Sequence, residues 1–316
     1  VSGRSFFFRR QFYPQLVRIA LDGLRRHDRR GRVFVSMMGG IGDLVNAFPA
    51  IAHLARAHRV DMGTGADPYR ALVRANPCVS RVYSPFVFKP IRRAHRRIIT
   101  RTLAPFYERV ILLDEPDSAW RACTAHMSVV YATRCGTPVP ARGLVYLPEE
   151  ARARAARWLD ERGLEDFIYV VHVVRRRRPE RSWPPAHYAR LYALLRERFP
   201  ARPIVAHTVG SDDRTVPAFC TEVAAADILT VGAFVERARL YVGPDTGPTH
   251  VAAALGVPTV SIHLGVRPEI SRALGDNVAL LAPGNAGAPA GVTPEQVVAA
   301  AARQLRETGP RCAADL

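Results

Sequence analysis

The chain has 316 residues, 48% of them hydrophobic and 23% charged, and a formal net charge of +17. That balance excludes a disordered chain and leaves room for one large domain or two ordinary ones, each with a proper core. No run is apolar enough to span a membrane, since the longest, Val251–Val266, is broken by Pro258 and His263, and Asp22 interrupts the N-terminal apolar stretch too early for a signal peptide.

Residues 4–30 form a basic amphipathic extension. Leu16, Ile19, Ala20 and Leu24 share a helical face, while Arg18, Arg25 and Arg26 fall elsewhere. Phe6, Phe7 and Phe8 beside Arg9 and Arg10 suit a membrane interface, so peripheral membrane contact is one expectation and a helix docked on its own domain the other. From Arg32 the pattern alternates. Arg32–Met37 reads as a strand, followed by Gly39, Gly40 and Gly42 and by a helix over Asp43–Ala57. Arg59–Met62, Arg81–Tyr83 and Val110–Leu113 are further strands, with the basic segment Lys89–Arg101 (KPIRRAHRRIITR) between the last two. Glu149–Arg162 predicts a charged helix stopped by Gly163, and the apolar run Phe167–Val174 a strand buried on both faces. Helices are expected from Pro185 to Arg198, Thr215 to Ala226, Thr246 to Leu255 and Pro294 to Arg306, with strands at Ile204–His207, Leu240–Val242 and Thr259–His263. Strands spaced by helices imply right-handed βαβ units and parallel sheets. Two such series imply two doubly wound α/β halves, joined in the region 145–165.

Three segments carry chemistry. The first, Met38-Gly-Gly-Ile-Gly-Asp43, lies between a strand and a helix, where glycines leave room for a ligand and the helix offers free N–H groups. Asp43 reads there either as a base for an attacking sugar hydroxyl or as a helix N-cap. The second is Tyr241-Val-Gly-Pro-Asp-Thr-Gly-Pro-Thr-His250. Thr246 and Gly247 would bring donors to a diphosphate, Asp245 would accept from sugar hydroxyls, and His250 would donate to a phosphate or sugar oxygen. The third is Arg175-Arg-Arg-Arg-Pro-Glu-Arg-Ser-Trp-Pro184, whose guanidinium forks, Arg177 and Arg181 among them, match phosphate oxygens. Trp183-Pro184 reads as the anchor of the following helix. The five cysteines, Cys78, Cys123, Cys135, Cys220 and Cys312, include no CxxC pair, which fits a reduced, cytoplasmic compartment and gives no zinc or redox motif.

These segments, spanning about residues 32–265, resemble the ADP-heptose:lipopolysaccharide heptosyltransferases, glycosyltransferase family 9. The glycine-rich turn to Asp43 is similar to that family's turn after its first strand, and Arg181-Ser-Trp-Pro184 to its K-x-W-P. Asp245 through Pro258 fills every fixed position of its D-T-G-x-x-H-x-A-A-A-x-G-x-P. The resemblance implies a GT-B fold: two Rossmann-like, doubly wound α/β domains facing a central cleft. After the extension 1–30 it places an acceptor domain at 31–150 and a nucleotide-sugar domain, with a C-terminal helix, at 151–316. It further implies inverting transfer without a metal or other cofactor, the nucleotide-diphosphate sugar being substrate. Asp43 matches the family's base, Arg181 stands where a lysine meets the donor phosphates, and Asp245, Thr246, Gly247 and His250 match the donor motif. Four arginines, Arg175–Arg178, replace the small residues usual before K-x-W-P.

On the acceptor side the resemblance points to Gly40 and Gly42, and the basic cluster to Arg92, Arg93 and Arg96. A cluster of that kind suits an anionic acceptor, such as an acidic sugar, a phosphorylated glycan or lipopolysaccharide core, or is a solvated helix face. Tyr107 and Trp120 are sugar-stacking candidates or core residues. A non-catalytic glycan- or nucleotide-binding relative remains the alternative. Specific nucleic-acid binding has charge alone behind it, with no recognised module.

Overall fold

The computed structural model describes residues 2–26, 28–37, 39–86, 93–113, 123–173, 181–209, 216–223, 226–264, 267–284 and 288–307. The chain divides into two compact units, residues 1–140 and 141–316.

The first unit opens with α1 (Ser2–Leu24), whose Phe12, Leu16 and Ile19 are buried. They join an aromatic core with Phe34, Tyr83, Phe86 and Tyr107. Polar contacts fasten the end of the helix. Asp22 accepts from Arg81 and from the Tyr83 hydroxyl, both at 3.0 Å. Arg26 reaches the buried Asp61 at 3.3 Å, beside Arg32 at 2.9 Å and the Tyr107 hydroxyl at 2.8 Å. The helix is therefore docked on its own unit. Leu24 leaves the expected face and is 60% exposed, because eight residues beyond Leu16 it has rotated by about 80°.

Four parallel strands make the sheet of this unit: β1 (Arg32–Ser36), β2 (Arg59–Gly63), β3 (Val79–Tyr83) and β4 (Arg109–Leu112). Their spatial order is β3-β2-β1-β4, with Val33 of β1 opposite Val60 of β2 and Arg109 of β4. β1 is buried throughout, as the unbroken run Val33-Phe34-Val35 demands of a central strand covered on both faces. The helices are α2 (Ile41–Leu54), α3 (Tyr69–Ala75), α4 (Arg93–Leu103) and α5 (Met127–Cys135). α5 ends on Gly136, whose φ of 69° only glycine adopts without strain.

The second unit starts at α6 (Glu149–Asp160), which leads into Gly163 at φ 63°. Its six parallel strands are β5 (Ile168–Val173), β6 (Ile204–Val209), β7 (Thr221–Val223), β8 (Leu240–Pro244), β9 (Thr259–Ile262) and β10 (Val278–Leu281). They are ordered β10-β9-β8-β5-β6-β7. Helices α7 (Pro185–Arg198), α8 (Ile228–Arg237), α9 (Gly247–Ala254), α10 (Pro268–Ser271) and α11 (Pro294–Glu307) accompany them. Trp183 is fully buried in this core and donates to the Val292 carbonyl at 2.8 Å, directly ahead of the helix it anchors. β7 stands inside the segment Thr215–Ala226, where the pattern predicts a helix. The alternation of Thr221, Glu222 and buried Val223 fits the edge of the sheet, and pairing with β6 overrides the helical preference of the neighbouring alanines.

Each sheet reverses direction of growth once, between β1 and β4 in the first unit and between β5 and β8 in the second. Such switch points open a crevice beyond the carboxyl ends of the strands, where doubly wound sheets bind ligands. No helix among the described residues is long and apolar enough to cross a membrane.

Candidate active site

Both principal motifs follow the central strands at these switch points. In the first unit, β1 runs into Gly39 and Gly40 and then α2. Asp43 is the third helical residue rather than the N-cap, a position held by Gly40. One carboxylate oxygen of Asp43 accepts from the Gly40 N–H at 2.5 Å, and the other from the Tyr131 hydroxyl of α5 at 3.0 Å. Gly39 leaves the space this needs: a Cβ there would lie 2.3 Å from the Asp43 Cβ. Asp43 is half-buried and held from two sides. Gly42 lies within the first turn of α2.

In the second unit, β8 ends at Pro244 and α9 begins at Gly247, with Thr246 as N-cap. The Thr246 side chain leaves the helix N–H groups alone and donates instead to the Pro244 carbonyl at 3.1 Å. Asp245 is buried at the centre of a charged cluster. Arg181 stands 3.5 Å from one of its oxygens; His250 Nε2 and His263 Nδ1 stand 3.4 and 3.7 Å from the other. Burial opposes charge on Asp245, but the His250 hydrogen bond, followed by His263 and Arg181, holds its carboxyl below the ordinary range. Arg181 Nε and His250 Nδ1 are buried without a hydrogen-bond partner among the described residues. Below them, Thr249 ties the turn to the sheet, donating to Pro244 at 2.6 Å and meeting the Tyr241 hydroxyl at 3.0 Å.

Arg181, Asp245, Thr246, Gly247 and His250 thus gather at one place. His263 and Tyr131 join the two sites without having been singled out in the sequence. His263 follows β9, the neighbour of β8, and only the strand order brings it to Asp245. Tyr131 is 88 residues from Asp43, on a helix the pattern did not single out.

Arg96 lies away from the Asp43 turn contacts, along β4. It donates to the Leu112 carbonyl at 3.3 Å, Arg134 donates to the same oxygen at 3.0 Å, and with Arg109 they line a hollow of about 460 Å³. Arg93 opens α4, but its side chain lies outside the described residues, as do Arg92, Arg177 and Trp120. Tyr107 is a core residue, 2% exposed. Among the described residues no group of three His, Cys, Asp or Glu side chains has the arrangement of a metal site.

The sequence model of glycosyltransferase family 9 (heptosyltransferase) matches residues 125–290, more than half of the chain. The chain belongs to glycosyltransferase family 9. It is a glycosyltransferase, and the turn at Asp245 and the Arg181 segment lie inside the matched region. Solved structures share the fold of this family 9 enzyme at low identity. The glycosyl transferase family 9 protein from Veillonella parvula DSM 2008 is 17% identical, with a TM-score of 0.70 over 88% of this chain and 98% of that one. E. coli ADP-heptose lps heptosyltransferase II is 15% identical, with a TM-score of 0.64 over 88% and 100%. E. coli heptosyltransferase WaaC with ADP is 17% identical, with a TM-score of 0.62 over 86% and 99%. The fold class is accordingly GT-B, built from parallel α/β sheets. No curated protein matches the chain in sequence.

Proposed function

We propose that this glycosyltransferase transfers heptose from ADP-heptose, with inversion, to a hydroxyl of an anionic glycan acceptor such as lipopolysaccharide core. The observation that carries the reading is the cluster of Arg181, Asp245 and His250 at the start of α9, placed at a sheet's switch point. The second unit holds the donor. Arg181 and the free N–H groups of α9 meet the diphosphate, while Asp245 accepts from sugar hydroxyls and His250 donates to a phosphate or sugar oxygen. The first unit holds the acceptor and the base. The acceptor oxygen bonds to the anomeric carbon, its proton passes to Asp43, and the bond from that carbon to the diphosphate oxygen breaks. The charge that develops on the leaving diphosphate falls on Arg181 and the helix N-terminus. Arg96, with Arg109 and Arg134, supplies the positive field that suits an acidic acceptor.

Family membership supports the sugar transfer, and the two-sided support of Asp43 suits a base whose orientation matters. No disulfide joins Cys78, Cys123, Cys135 or Cys220 among the described residues, which fits work in the reducing cytoplasm. Calorimetric titration with ADP, UDP, GDP and ADP-heptose tests the donor. ADP and ADP-heptose should bind selectively to the wild type and not to Asp245→Ala. Preference for another base would discard ADP-heptose, and no binding at all would favour a non-catalytic relative. Asp43→Asn should abolish turnover while donor binding persists; retained turnover would remove Asp43 as the base.

A further inference from the structure

Four of the six exposed large hydrophobic side chains of the described residues sit on one helix. Tyr13, Val17, Leu21 and Leu24 of α1 are 43–60% exposed. At about 100° per residue they fall within roughly 80° of arc. The face that docks on the first unit, Phe12, Leu16, Ile19 and Gly23, is a separate one. The helix is thus apolar on two sides, a pattern that calls for burial of both, yet its own unit covers only one.

Charge decides what covers the other. Arg18 and Arg25 are exposed on the flank of the apolar stripe, and Arg29 and Arg30 are exposed just beyond the helix. Beside α1 a hollow of about 430 Å³ is lined by Arg18, Arg74 and Arg81. Its one carboxylate, Asp22, already bridges to Arg81 at 3.0 Å and leaves the rim positive. A second copy of this chain would set these arginines against one another. A nucleic acid would leave the apolar stripe wet. A surface of anionic lipid satisfies both parts at once, taking the apolar side chains into the boundary of headgroups and acyl chains and the guanidinium groups against phosphates.

We propose that the outer face of α1 docks this protein on an anionic bilayer. Tyr13, Val17, Leu21 and Leu24 enter the membrane boundary, and Arg18, Arg25, Arg74 and Arg81 meet lipid phosphates. Docking lies flat along the helix and crosses nothing. It is independent of the transfer reaction, so loss of one leaves the other standing.

Co-sedimentation of the full chain with vesicles of phosphatidylcholine, with and without phosphatidylglycerol, tests it. The wild type should bind the vesicles that contain phosphatidylglycerol and leave the neutral ones. Replacing Val17, Leu21 and Leu24 together by serine should weaken binding about tenfold or more, with the circular dichroism and thermal midpoint of the wild type. Arg18→Gln with Arg25→Gln should weaken it about thirtyfold. Equal binding to neutral vesicles, or binding unchanged in either variant, would overturn the proposal. A wild-type dimer that the serine variant dissociates, with vesicle binding unchanged, would give the face to a second copy instead.

Discussion

Asp43 owes its position to its neighbours. The Gly40 N–H holds one oxygen, the Tyr131 hydroxyl the other, and Gly39 is small enough to let the carboxylate in. Tyr131 is thus a positioning residue for the proposed base. Tyr131→Phe removes one hydrogen bond to a charged group, worth about 1.5–3 kcal/mol. The expected outcome in steady-state kinetics is a kcat lower by roughly tenfold or more, with KM for the donor nearly unchanged. A rise in KM with kcat intact would assign Tyr131 to substrate binding. Asp245 makes a different prediction. Its folded carboxyl is held below the ordinary value of 3.8, so its contribution to stability is complete above that value and is lost as pH falls below it. The thermal midpoint of the wild type should therefore exceed that of Asp245→Asn near neutral pH, and the gap should close in acid. A gap that persists there would show that shape, not charge, holds the cluster.

At the scale of elements, the sequence was most legible where burial and turn chemistry agree. β1, β5 and β9 are inner strands, paired on both sides, whose apolar runs point to buried strands, and Gly163 marks the end of the α6 turn as its position predicts. The grouping of the proposed donor turn was legible for a local reason: Asp245 to His250 lie on one strand–helix junction, so adjacency in sequence becomes adjacency in space. β7 was lost because an edge strand of three residues carries little pattern. α8 was lost although Asp227 caps it, accepting from Leu229 and Thr230 N–H groups at 3.0 Å. Its apolar run Ile228–Val235 lacks a polar face to give a helical period, because most of it is buried. Partnerships between elements far apart in sequence, such as Tyr131 with Asp43 or His263 with Asp245, have no local signal at all. The docking of α1 is testable at this scale. Phe12→Ala empties a fully buried site between the helix and Phe86 and should cost about 3–5 kcal/mol in chemical denaturation of the first unit. A loss below about 1 kcal/mol would mean that the salt links of Asp22 and Arg26 carry the docking instead.

At the scale of the molecule, the two units use one plan twice. Four strands in the order β3-β2-β1-β4 have their counterpart in β7-β6-β5-β8, and the second unit adds β9 and β10 beyond them. The turn proposed to carry chemistry follows the first strand in one unit and the fourth in the other, yet each opens at the switch point of its own sheet. The net charge of +17, almost wholly arginine, overlies this plan unevenly, with exposed groups along α1 and partly sheltered ones along β4. Among the described residues β4 lies at the edge of the four-stranded first sheet, pairing with β1 alone. Its Leu112 carbonyl is already taken by Arg96 and Arg134, one from each adjoining helix. An incoming chain that sought to extend the sheet would have to displace both and approach three guanidinium groups. Such a guarded edge disfavours extension by a further strand, so the arginines proposed to draw in an acidic acceptor also hinder edge-to-edge pairing.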